Sequence, residues 1–129
     1  MSSKPFEWDL GAALAGDRAV AGRDLRLATK RIALLVCGGI AACRAPMLAR
    51  SLRKSGAEVY VFVTPSALEF VTSEALAWCS ANPVTTVLDS RAQHVSSERV
   101  DAYLVAPATY STIGKLANGI ADNAVTTTL

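Results

Sequence analysis

The chain has 129 residues, a formal net charge of +2 and a hydrophobic fraction of 51%, with aromatics at only 6%. That length holds one domain at most, and the composition excludes both a disordered chain and a disulfide scaffold. A nearly balanced charge with no basic run interleaved with aromatics argues against nucleic acid as a partner. No stretch approaches the ~20 apolar residues needed to span a bilayer. The N-terminus, with Lys4, Glu7 and Asp9, does not read as a signal peptide. Three cysteines (Cys37, Cys43 and Cys79) form no C-x-x-C pair and have a single histidine for company. Reduced, packed thiols in a cytoplasmic protein are the expectation, with no metal site.

Residues 1–30 carry Gly11, Gly16 and Gly22 across weak helical periodicity and read as an N-terminal extension, with Phe6 and Trp8 as anchors. From Arg31 the pattern becomes regular. The run IALLV (32–36) suits a strand covered on both faces. A helical pattern follows, with Ile40, Cys43, Met47, Leu48 and Leu52 on one side, and Gly56 closing it. Pro46 either starts the regular helix or kinks its first turns.

The run EVYVFVT (58–64) reads as a second strand, and Thr64-Pro65 as a helix cap followed by proline in the first turn. Two short helical pieces follow, SALEFV and SEALAWC, stopped at Asn82-Pro83. A short strand VTTV (84–87) leads into a polar loop from Asp89 to Arg99. The fourth strand is AYLVA (102–106), ended by Pro107. Helix is expected from Thr109 to Asn118, with Ile113 and Leu116 inward and Gly119 past its end. DNAVTTTL begins a further element.

Strands and helices alternating at these lengths make an α/β fold: a Rossmann-like or flavodoxin-like doubly wound parallel sheet. Such sheets have five or six strands, so this chain is expected to lack the last ones, or another polypeptide completes them.

In such a sheet ligands sit outside the carboxyl ends of the strands. Gly38 and Gly39 follow the first strand directly, where a bare backbone and a helix start suit a phosphate. A tight turn that binds nothing would need the same glycines. Hydroxyl side chains at other strand ends favour the ligand: Thr64 and Ser66 after the second strand, and Thr109, Ser111 and Thr112 after the fourth. The dinucleotide fingerprint and the P-loop lysine are both missing, so a mononucleotide fits better than NAD or ATP.

The segments RIALLVCGGIAACRAPMLARSLRKSGAEVYVFVTPSALEFV and HVSSERVDAYLVAPATYSTIGKLANGIADNAVTTTL resemble the homo-oligomeric flavin-containing cysteine decarboxylases. Within that family they look most like the phosphopantothenoylcysteine-decarboxylating branch of coenzyme A biosynthesis. The resemblance spans Arg31 to Leu129, an FMN-binding domain over residues 31–129. It implies FMN as cofactor, cradled by Gly38, Gly39 and Ile40, then by Thr64, Pro65 and Ser66. Thr109, Tyr110, Ser111 and Thr112 occupy the place of the family's P-A-S-A-N-T segment, with Ser111 where the family has asparagine.

The resemblance also implies that His94 is the catalytic base and that the protein is a homotrimer or a multiple of one. The implied reaction oxidises the cysteine end of a small substrate to a thioaldehyde, from which carbon dioxide leaves. The family's substrate clamp and reducing cysteine would lie past Leu129. Two alternatives share the same site: a flavin prenyltransferase, and a non-catalytic flavin-binding or regulatory subunit.

Overall fold

The computed structural model describes residue 20 and residues 25–88 and 100–129. The proposed base His94, the polar loop 89–99 and residues 1–19 and 21–24 of the N-terminal extension lie outside the described residues.

Four parallel strands form one sheet: β1 (Arg31–Val36), β2 (Glu58–Val63), β3 (Val84–Thr85) and β4 (Ala102–Val105), in the order β3-β2-β1-β4. This is the strand order that opens a Rossmann-type doubly wound sheet, with the reversal between β1 and β4. β1 is central, pairing Val36 with Val63 on one side and Leu35 with Val105 on the other. The C-terminal ends of three strands therefore lie level, side by side.

Strand alternation sorts the core onto two faces. Ile32, Leu34 and Val36 of β1 join Val59, Val61 and Val63 of β2 on one face. Ala33, Leu35, Cys37 and Phe62 point to the other, where Val125 meets them. Leu34, Leu35, Val36 and Val63 have no exposed surface. Burying each such side chain contributes about 1.5–3 kcal/mol, which makes β1 the most deeply buried strand as well as the central one.

The helices are α1 (Ala45–Lys54), α2 (Ser73–Ser80), α3 (Tyr110–Ala117) and α4 (Ala124–Thr128). A 3-10 turn, Ile40–Arg44, precedes α1, so Pro46 stands in the first turn of the regular helix, where its missing N–H costs nothing. A second 3-10 turn, Pro65–Glu69, is capped by Thr64, whose hydroxyl accepts from the Ala67 amide. β2 accordingly stops at Val63 rather than Thr64.

Which faces turn inward differs from the periodicity. Ala42, Ala45 and Ala49 are the buried residues before and along α1, whereas Ile40 and Met47 are exposed and so is Cys43. Leu48 and Leu52 pack partly against the core. Small side chains let α1 lie close to the sheet, and two residues of offset (about 200° around a helix) put the larger side chains on the far side. On α3 the buried residue is Thr112, while Ile113 and Leu116 are exposed. β3 spans two residues instead of four, and β4 ends at Val105.

The DNAVTTTL segment forms α4. Asn123 caps it by accepting from the Val125 and Thr126 amides, and the Thr126 hydroxyl accepts from the Asn123 amide in return. Gly56 closes α1 with a φ of 93°, and a Cβ there would stand 3.0 Å from the Ala28 backbone. The turn at residues 26–29 thus packs against the α1–β2 junction, where the Leu27 amide donates to the Ser55 carbonyl and Leu27 adds to the core.

Candidate functional site

Three loops leave the level ends of β1, β2 and β4 and are tied to one another by backbone bonds. The Thr64 amide donates to the Val36 carbonyl at 3.0 Å, and the Cys37 amide to the Pro107 carbonyl at 3.2 Å. Between them opens a cleft of about 340 Å³, lined by Gly38, Thr64, Pro65, Ser66, Thr109, Ser111 and Thr112, and further by Lys115, Asp122 and Asn123.

The two glycines do different things. A Cβ on Gly38 would stand 2.6 Å from the Ser66 Cβ and collide with its Oγ, so only glycine lets the loop after β2 close onto the turn after β1. A Cβ on Gly39 would meet nothing within 4 Å. The amides of Gly38, Gly39, Ile40 and Ala41 have no hydrogen-bond partner among the described residues. The space beside Gly39 is therefore open, in a turn whose amides are unpartnered among the described residues.

The hydroxyls also divide. Thr109 caps α3, accepting from the Thr112 amide at 3.1 Å, and its own hydroxyl donates to the Thr112 hydroxyl at 3.1 Å. The Thr112 hydroxyl in turn donates to the buried Cys37 sulfur at 3.2 Å. Both threonine protons are thus directed into the protein. Thr64 is occupied by its cap bond and shares a 3.2 Å contact with the Ser66 hydroxyl. Ser111 is exposed, and its hydroxyl makes no hydrogen bond among the described residues. Ser66, Ser111 and the glycine amides are thus the donors most readily turned to a guest.

Of the ten residues expected to bind a cofactor, seven line this cleft, and three do not: Gly39, Ile40 and Tyr110. Ile40 is 77% exposed and Tyr110 is 96% exposed, so both side chains face solvent at the edge of the site.

Lys115, Asp122 and Asn123 are additions that sequence reasoning missed. Lys115 stands one helical turn beyond Ser111 on the same face of α3, a spacing that could have drawn attention to it. Its ammonium donates to Asp122 at 2.9 and 3.1 Å. That hydrogen bond holds the Asp122 carboxyl below the usual carboxylate range. Asn123 spends its side-chain oxygen on the α4 cap, and its amide donates to Asp122 at 3.2 Å.

A second hollow of about 470 Å³ abuts the first, sharing Pro65, Asp122 and Asn123, and is mainly apolar through Val87, Leu88, Ala121 and Ala124. The first is lined mainly by polar residues and the second mainly by apolar ones. The flavoprotein family model matches residues 23–129. This chain belongs to the flavoprotein family.

Relatives of this flavoprotein include the coenzyme A biosynthesis bifunctional protein CoaBC. The Thermococcus kodakarensis protein is 37% identical over 112 residues, covering 83% of this chain and 28% of that protein. The Escherichia coli protein is 39% identical over 109 residues, covering 80% and 27%. The flavoprotein chain thus spans a little over a quarter of the curated relatives it matches.

Among solved structures, the FMN-dependent cysteine decarboxylase TvaF from thioviridamide biosynthesis superposes with a TM-score of 0.73 at 37% identity. That match covers 78% of this chain and 65% of TvaF. A cysteine mutant of PPC decarboxylase in complex with pantothenoylaminoethenethiol gives 0.66 at 27% identity, covering 77% and 58%.

Proposed function

We propose that this chain is the FMN-binding part of an oxidative cysteine decarboxylase, with phosphopantothenoylcysteine of coenzyme A biosynthesis as substrate. The observation that carries the reading is the glycine- and hydroxyl-lined cleft at the strand-order reversal, in a chain of the flavoprotein family. The residues fit FMN: unpartnered amides and open space at Gly39 suit a phosphate, and the adjoining apolar hollow suits a flat ring.

In this reading Gly38, Gly39 and Ile40 act through their backbone amides, and Ser66 and Ser111 through their hydroxyls. Thr64, Thr109 and Thr112 hold the three loops in place, while Pro65 and Tyr110 supply apolar surface. FMN, when bound, supplies a two-electron acceptor, so that the cysteine end can be oxidised and its carboxylate lost. The protein's part is to fix the substrate beside it and to take the proton released, the role given to His94.

The same reading makes the protein a cytoplasmic homotrimer, or a multiple of one. Its support is the exposed Ile40 and Tyr110, flanking cleft residues in sequence, which a neighbouring subunit would cover, and three free thiols. The 37% identity to TvaF, a cysteine decarboxylase from thioviridamide biosynthesis, favours one second reading, in which the cysteine belongs to a different substrate.

The test is direct. Purified protein should be yellow or take up FMN, release it on denaturation, and evolve carbon dioxide from phosphopantothenoylcysteine. Turnover of another cysteine-terminated compound instead would select the second reading, and a prenyl phosphate should give no product. Failure to take up FMN would end both.

A further inference from the structure

Among the described residues the cleft contains one cation and one anion, and they are bonded to each other. Lys115 and Asp122 are the two charged side chains that line it, and the ammonium sits 2.9 Å from the carboxylate. As arranged, the formal charges of the pair cancel, so these two side chains offer an incoming anion no net attraction. The Asp122 oxygens would in fact repel it.

The pair is nevertheless easy to part. The Lys115 and Asp122 side chains are 31% and 50% exposed, so water can take over either partner, and an ion pair so exposed holds weakly. Asp122 also keeps the Asn123 amide as a second partner when the lysine leaves. Among the described residues Lys115 has no such substitute at the cleft, so an anion bound there would be its alternative partner. Four carbons of flexible stem separate its charge from α3, enough to swing between the α3–α4 loop and the cleft interior.

Resting on the reading that the cleft takes the phosphate end of a flavin, we propose that Lys115 is the residue that selects phosphorylated from unphosphorylated flavin. Asp122 acts as its competitor. Lys115 is drawn from the carboxylate to the ligand only by an anion that outbids Asp122. A phosphate dianion, with three oxygens and nearly twice the charge, does so where a single carboxylate does not. Neutral riboflavin leaves the pair intact. The exchange makes the preference for FMN a property of two side chains, separate from the amides and hydroxyls that bind either flavin.

The experiment is a set of fluorescence titrations with FMN and with riboflavin, on the full chain and three variants. The unaltered chain should bind FMN more tightly than riboflavin. K115M should weaken FMN by about tenfold or more, the scale of one charge-assisted hydrogen bond, and leave riboflavin within about twofold. K115R should restore most of the preference.

D122N frees the lysine and should tighten FMN severalfold, with riboflavin unchanged. Equal losses for both flavins in K115M, or no loss for either, would overturn the proposal. So would a D122N variant that weakens FMN. Should the unaltered chain bind neither flavin, the underlying reading fails. Should it bind both and K115M leave their ratio untouched, only the role of Lys115 fails.

Discussion

The Thr112 hydroxyl donates to the Cys37 sulfur at 3.2 Å, joining the end of β1 to the first turn of α3 across 75 residues of sequence. Both groups are buried, Cys37 at 1% exposure and Thr112 at 4%. The same Thr112 hydroxyl accepts from Thr109, the α3 cap. One short relay therefore fixes the α3 N-terminus against the glycine turn, and with it two of the three loops that line the cleft.

Cys37→Val removes the acceptor and strands the Thr112 proton in the core. The expected cost is about 1–3 kcal/mol in urea unfolding, the penalty of an unsatisfied buried donor. Adding Thr112→Val removes the orphan as well, so the double variant should lose less than the two single losses combined. Strict additivity would mean that the two groups do not interact. Thiol labelling gives a second check, since exposed Cys43 should react well before buried Cys37.

The paired glycines should separate folding from binding. Gly38→Ala drives a methyl into Ser66, so stability should fall by about 1–3 kcal/mol as the two loops part. Gly39→Ala meets nothing within 4 Å and its backbone is extended, so its melting temperature should hold. Its methyl projects into the space assigned to the phosphate, and FMN uptake should drop at least tenfold. Unchanged uptake in folded Gly39→Ala would put the phosphate elsewhere.

His94→Asn should keep the yellow colour and lose carbon dioxide release. An imidazole that takes a proton contributes about a hundredfold or more, and an amide cannot replace it. Full turnover in this variant would remove His94 from the mechanism.

The strands were legible because β1 and β2 are continuous apolar runs buried on both faces, the plainest pattern an α/β sequence offers. The cleft was legible for a related reason: in a doubly wound sheet the residues following each strand must meet at one end. What escaped were contacts set by packing. Ala45 and Ala49 face the core while Met47 does not, because a helix laid close to a sheet needs small side chains and hydrophobicity alone ranks methionine above alanine. The roles of Thr109 and Thr112 depend on where their protons point, and Cys37, the acceptor at the end of that relay, is remote in sequence. Lys115 and Asp122 meet only because α3 ends and the chain turns back. Neither spacing nor composition specifies that return.

At the opposite end of the sheet, the Tyr60 hydroxyl donates to Glu58 at 2.5 Å, and Glu58 also holds Arg31 at 3.2 Å. The bond to Glu58, then partial burial, raises the Tyr60 phenol above its ordinary 10.0. A group whose folded value is raised contributes stability that is complete below the unfolded value and fades as pH climbs through the folded one. Stability should therefore decline above about pH 10 as the phenolate forms beside the carboxylate. Tyr60→Phe should flatten that decline and abolish the latest-titrating component of phenolate absorbance. Glu58→Gln should move that component back toward the ordinary range, because the main cause of the shift goes with the carboxylate. A late component that survives both substitutions would belong to a different tyrosine.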